Sequence, residues 1–257
     1  MVNITSKTPL LRQVIVSNDT DTVVALICHF NIWAALGLKE LWVQIGTGER
    51  RWFLPLHAIL RKLGRDICKI LIKVHVIIGD DFLNKIGMKH VAMHFDPVKC
   101  LENFEKDPTL TKLITKTVEK YLVQIWVGVG CTTTVSSFNE LCLEQYQKGG
   151  RYIADLPPTS STILLHILRG HYVLRRSLAL GDFREEAELD PLTWGWKDDA
   201  GRFMPVKGRN SIPPTFLVIC KCGGKCNNRW CLFMQSEQAC TVFCHKSQSS
   251  ACLNTPK

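Results

Sequence analysis

Seven cysteines, Cys220, Cys222, Cys226, Cys231, Cys240, Cys244 and Cys252, crowd the end of this 257-residue chain, and His245 follows Cys244 directly. Thiolate sulfur and imidazole nitrogen are ligands zinc favours in tetrahedral structural sites. Closely spaced cysteines let a short chain wrap a metal when it has too little apolar mass to fold alone. Two separate tetrahedral sites need about eight ligands, so seven thiolates suffice for two ions if one sulfur bridges. His245 is a substitute ligand. The competing chemistry is a disulfide framework, which belongs to secreted chains. The first twenty residues show no apolar core followed by a small-residue cleavage site, so zinc is the expected cofactor and a nuclear or cytoplasmic setting the expected one.

A second group is acidic. Asp19 and Asp21 lie two apart just past the β-branched run Val14–Val16, and Asp80 and Asp81 follow the apolar segment Ile70–Ile78. Converging carboxylates hold Mg²⁺ because hard oxygen ligands leave room for phosphate and water. The commoner role of Asp in such places is a turn or a helix N-cap, and spacing does not separate the two. None of the eight histidines stands in a nucleophile motif; His29 follows Cys28 directly, which points the two side chains apart along a strand.

The elements that must carry these groups are legible in part. Gln13–Val16 reads as a strand and Val23–Ile27 as a strand or buried helix, joined by the polar loop 17–22. Leu41–Ile45 and Arg51–Leu54 flank Gly46-Thr47-Gly48-Glu49 as the arms of a hairpin. Apolar residues from Leu110 to Trp126 recur at three- and four-residue steps and mark a helix whose inner face includes Leu113. After Pro158, Thr159 or Ser160 caps a further helix with Ile163, Leu164, Ile167, Leu168 and Tyr172 inward and Arg169, His171, Arg175 and Arg176 on its other side. Pro213-Pro214 reads as linker. The apolar run Val23–Leu38 is too short to span a bilayer, which takes about 20 residues, and it contains His29 and Asn31.

Charge is uneven. Of a net +9, residues 201–257 contribute +7, from eight Lys and Arg against Glu237 alone. Clustered positive charge favours an anionic partner through counterion release. DNA is the expected partner, with Lys221, Lys225, Arg229 and Trp230 as contacts; bound thiolates would cancel part of the charge. No membrane and no small-molecule substrate is expected.

Several blocks carry a resemblance. Val14–Val24 with Leu41–Gly48, Phe53–His57 to Gly64, His75–Asp81 leading to Lys85–Lys89, and Ala154–Ser160 with Leu165–Arg169 together resemble a family of multi-copy, mobile-element-like proteins of animal genomes. The first half of that family is similar to the C-terminal part of the PIN-like, flap-endonuclease-type nuclease fold. The resemblance implies an α/β fold with a parallel sheet, and makes Asp19, Asp21 and Asp81 vestigial metal ligands, with Mg²⁺ as cofactor only if the site is complete. Where the family has a polar turn, this chain has Phe82 and Leu83; further acids of that fold lie upstream of the Asp-x-Asp, and none precedes Asp19 here. Residues 220–252 resemble the tesmin-type CXC module, a DNA-binding fold of nine cysteines and three zinc ions; Phe233 stands where a thiolate is expected and Lys246 where another fits.

The resulting expectation is a partial PIN-like domain at 1–105, a helical region at 106–180, a linker at 181–214 and a CXC-like zinc module at 215–257. Such a chain binds zinc and, weakly, nucleic acid, and is catalytically incomplete. Its rivals are a metal-dependent nuclease completed by missing upstream residues and a non-functional remnant.

Overall fold

A β-branched run forms a strand only if a neighbour takes up its backbone polar groups. Gln13–Val16 finds that neighbour in Leu41–Ile45. In the computed structural model β1 (Arg12–Val16) pairs in parallel with β2 (Glu40–Ile45), which pairs antiparallel with β3 (Trp52–Pro55). Residues 11–80, 83–87, 89–106, 109–131, 133–147, 156–178, 189–208, 226–227, 229, 231–235, 240 and 252–254 are described. The parallel pair requires a crossover, and α1 (Thr20–Ala35) supplies it. The open choice at Val23–Ile27 therefore resolves as helix. The hairpin expected at 41–54 is present, its connection tightened by a 3₁₀ turn at Gly48–Arg50.

After the sheet come α2 (Leu56–Leu63), α3 (Arg65–Ile78), α4 (Lys89–Ala92), α5 (Pro97–Leu101), α6 (Lys112–Val127), α7 (Phe138–Gln147) and α8 (Ser160–Leu178), with one further short helix in the cysteine-rich end. The fold is mixed α/β. Leu41 and Val43 on one side of the sheet meet Leu26, Ile27, Leu56 and Leu60 to make a small core. The larger core is helical and centres on α3, whose Ile70, Ile72, Val74, Val76, Ile77 and Ile78 are all buried. The C-terminal half of α3 is buried all round, Lys73 and His75 included, and α1, α5 and α8 enclose it. The same core takes in Tyr121 and Leu122 of α6 and Ile163 and Ile167 of α8. It thus holds residues from both sides of position 105.

Two inward assignments are corrected. Leu113 is 75% exposed and Leu164 also faces solvent. The basic side expected on α8 is only half correct: Arg169 is buried where a second sheet docks, and His171 is buried against Phe104 and Trp194. Within the stretch expected as linker, β4 (Trp196–Asp199) and β5 (Arg202–Pro205) form a hairpin. Arg169 Nη1 donates to the carbonyls of Gly195 and Val206 at 3.3 and 3.2 Å. His171 Nδ1 donates to the Phe104 carbonyl at 2.7 Å.

Gly79 ends α3 at φ 119°. A Cβ there would lie 2.6 Å from Lys85 Cα, so the following turn closes only over glycine. Leu83, in place of a polar turn residue, is buried in the helical core beside Ile86. No described helix is long and apolar enough to cross a membrane.

Candidate functional site

The described cysteines of the C-terminal cluster converge. Sγ atoms of Cys226, Cys240 and Cys252 all lie within 4.8 Å of one another, and all three residues are buried. Cys231, also buried, joins through Cys240 at an Sγ–Sγ distance of 3.7 Å. A tetrahedral zinc site with Zn–S near 2.3 Å has sulfur–sulfur edges of about 3.8 Å, so this spacing fits a shared metal. It is far from the roughly 2.0 Å of a disulfide, and none of these four cysteines is disulfide-bonded.

The backbone closes around the sulfurs. Cys226 takes a left-handed conformation at φ 56°. Cys231 opens the single turn α9 (Leu232–Gln235), its carbonyl accepting the Gln235 N–H at 3.0 Å. Asn254 binds Cys240 twice: its carbonyl accepts the Cys240 N–H at 2.6 Å, and its Nδ2 donates to Cys240 Sγ at 3.4 Å. Sequence reasoning did not single out Asn254, whose distance from Cys240 along the chain gives no signal. Phe233 is 1% exposed and packs among the four cysteines, so it fills space where a thiolate was looked for. Burial pushes the Cys240 thiol far up, reinforced by Cys231 and Cys252 and opposed by Asn254. Arg229 is exposed. Cys220, Lys221, Cys222, Lys225, Trp230, Cys244 and His245 lie outside the described residues.

The acidic loop is built differently. After β1, Asn18 Oδ1 accepts the Gly46 N–H at 2.7 Å and ties this loop to the end of β2. Asp19 is the N-cap of α1: its carboxylate accepts the N–H groups of Asp21 and Thr22 at 3.0 and 3.1 Å and the Thr22 hydroxyl at 2.9 Å. The Thr22 hydroxyl first, then those N–H groups, hold its carboxyl below the usual range. Asp21 Oδ1 accepts from His75 Nε2 at 2.5 Å, an imidazole buried on α3. Asp80 Oδ1 accepts the Leu83 N–H at 3.0 Å. Asp81 lies outside the described residues. Asp19 and Asp80 thus serve their own turns and Asp21 an imidazole of α3, and among the described residues these three carboxylates do not bring three ligand atoms together as the cysteines do.

No protein-family model, no curated protein and no solved structure matches the chain.

Proposed function

We propose that this chain is a zinc- and nucleic-acid-binding protein, its cysteine-rich end a degenerate tesmin-type CXC module and its body a catalytically incomplete relative of the mobile-element, flap-endonuclease-like proteins. The observation that carries the reading is the convergence of four buried thiols, Cys226, Cys231, Cys240 and Cys252, at metal-sharing distances. Soft sulfur donors, buried and within tetrahedral reach, suit zinc rather than Mg²⁺ or Ca²⁺. Cys220, Cys222, Cys244 and His245 supply the remaining ligands. Cys240, which belongs to the close triad and also touches Cys231, is the natural bridging sulfur between two ions.

The +7 of residues 201–257 then provides duplex affinity that is weak, tolerant of sequence and steeply dependent on salt, with Lys221, Lys225, Arg229 and Trp230 at the contact. Catalytic incompleteness is supported by the engagement of Asp19 in a helix cap and of Asp21 with His75. Cleavage of flap, nicked or single-stranded DNA in Mg²⁺ or Mn²⁺ should be undetectable. A robust activity abolished by Asp81→Ala would restore the rival nuclease.

Mass spectrometry of the purified chain under non-denaturing conditions tests the metal. Two zinc ions are expected. Disulfide-paired cysteines, or a chain that binds none, would overturn the reading. Phe233→Cys should raise the stoichiometry or tighten binding if the CXC resemblance is genuine, and change neither if the spacing is coincidental.

A further inference from the structure

Away from the cysteines and the acidic loop, α8 and the β4–β5 hairpin enclose an open cleft of about 530 Å³. Tyr172, Val173 and Arg176 of α8 line it together with Pro191, Trp196 and Phe203. Its volume falls in the range of about 300–1,000 Å³ that small ligands occupy. Three of these residues are aromatic, and the hairpin holds its share of them without need of its own. Phe203 is 58% exposed on a four-residue strand, an apolar ring left in water by the fold.

The polar lining selects among ligands that aromatic walls attract. Arg176 Cζ lies 5.7 Å above the Tyr172 ring, and its Nη1 donates to the Tyr172 hydroxyl at 3.1 Å. Among the described residues no carboxylate pairs with it, so most of its fork of N–H donors remains for a ligand. Behind Trp196 lies a second cation: Arg169 Cζ is 6.0 Å from that ring, and its hydrogen bonds to Gly195 and Val206 fix the hairpin on α8. Aromatic cages for quaternary ammonium groups need the opposite field, so a cationic ligand is excluded here. A neutral apolar ligand gives Arg176 nothing to bind. Two described acids beside the lining residues in sequence or register are occupied by turns: Asp198, paired with Phe203 in the hairpin, accepts the Gly201 N–H at 2.8 Å, and Asp190 accepts the Leu192 N–H at 2.9 Å. The chemistry that remains is a flat aromatic ring carrying negative charge.

We propose that this cleft takes an unpaired nucleobase of single-stranded nucleic acid, stacked on Phe203 and its aromatic neighbours, with the adjoining phosphate on Arg176. A stacked base in a duplex cannot enter such a cleft, whereas a splayed one offers both faces to aromatic side chains and its phosphate to an arginine. None of the described residues that line the cleft belongs to the cysteine cluster, and the cleft reads a different form of nucleic acid from the duplex contact proposed at Lys221, Lys225, Arg229 and Trp230.

The test uses the full, zinc-loaded chain and fluorescein-labelled oligonucleotides of about twelve nucleotides, within the span of known single-strand sites. Anisotropy titrations compare oligo-dT, oligo-dA and a duplex of the same length. Phe203→Ala, an exposed position whose loss leaves the core intact, should weaken single-strand binding about tenfold and leave duplex binding unchanged. Arg176→Gln should weaken it less and lower the slope of log affinity against log salt by about 0.7. Competition by AMP at concentrations that leave duplex binding untouched would support the same base-plus-phosphate chemistry and point to a free nucleotide as occupant. Equal single-strand affinity in wild type, Phe203→Ala and Arg176→Gln would overturn the proposal. So would displacement of the labelled single strand by a phosphotyrosine peptide and not by unlabelled oligo-dT. Failure of the cysteine-module reading shows elsewhere, in the zinc count and the duplex affinity.

Discussion

The helical core around α3 and the cysteine cluster are two solutions to one problem. Around α3, fully enclosed Ile77, Ile78, Phe104, Tyr121 and Leu122 remove enough apolar surface from water to offset the entropy of ordering the chain. In the cluster the buried groups among the described residues are four cysteines and Phe233, too few to do the same. Burying thiols without a cation leaves them protonated and weakly held, so under the proposed function order there comes from metal–sulfur bonds. One region depends on the number of side chains it encloses, the other on the atom it binds.

Removing the metal gives the largest separation of the two. Structural zinc in small modules contributes about 10–16 kcal/mol of apparent binding free energy at neutral pH, and in such modules binding is folding. A chelator should abolish hydrogen-exchange protection at Cys226, Cys231 and Cys240 while leaving Ile77 and Tyr121 protected. Loss of protection in both regions at once would mean that they form one cooperative unit. Next in size is Phe104→Ala. Phe104 is fully buried, stacks edge-on to His171 at 5.6 Å, and lies in the helical core. Its truncation should cost about 3–5 kcal/mol in chemical denaturation of the body, with zinc stoichiometry unchanged.

What the sequence made legible follows the same divide. Apolar periodicity located α6 and the caps located α8, because those elements satisfy themselves locally. The β4–β5 hairpin was not legible. Its first strand, Trp196-Lys197-Asp198-Asp199, is mostly polar, and its turn is Ala200-Gly201 rather than Asn-Gly, with both residues at positive φ. The hairpin owes its place to α8, and Arg169, read from sequence as a solvent-facing charge, is buried because that docking supplies its acceptors. The cysteine spacing announced a metal-type cluster, but only the folded chain brings Cys226, Cys240 and Cys252 within reach of one ion and places Asn254 on Cys240.

Acid should sharpen the contrast further. Burial lowers the basicity of His29 and His166, the latter aided by nearby Arg169, while hydrogen bonds to the backbone at Ser177 and Ile77 oppose the shift. Both imidazoles are therefore neutral in the folded body when the unfolded chain already takes up protons. Above about pH 6.5 neither state is protonated and stability is flat. As pH falls below that value the unfolded state binds more protons, and each histidine removes at most about 1.4 kcal/mol of stability per pH unit until it protonates in the folded state. Denaturation of the body at pH 7.5, 6.5 and 5.5 should show this break, and His166→Gln should reduce it. A metal held by the cluster would be lost in acid for a different reason, proton competition for thiolate, and that response should vanish in chelator while that of the body persists.

The smallest effect is at Asp19, and it tests whether the acidic loop is built like the body or like a ligand site. Asp19 receives three donors from Asp21 and Thr22 as the cap of α1. Asn caps helices about as well as Asp, because its side-chain oxygen accepts from the same N–H groups; Ala accepts nothing. Asp19→Ala should therefore lower the Tm of the body by about 2–4 °C, the shift that loss of one cap produces in a chain of this size. Asp19→Asn should leave it near the wild-type value. A metal ligand answers differently: Asn removes the charge that binds a divalent cation, so it would resemble Ala in any Mg²⁺- or Mn²⁺-dependent rise in Tm. The decisive comparison is Tm with and without Mn²⁺ for the three forms. If Mn²⁺ raises the wild-type Tm and both substitutions abolish that rise, the loop is a cation site and the capping account is insufficient. If Mn²⁺ changes none of them and only Asp19→Ala melts early, the carboxylate belongs to the architecture of α1.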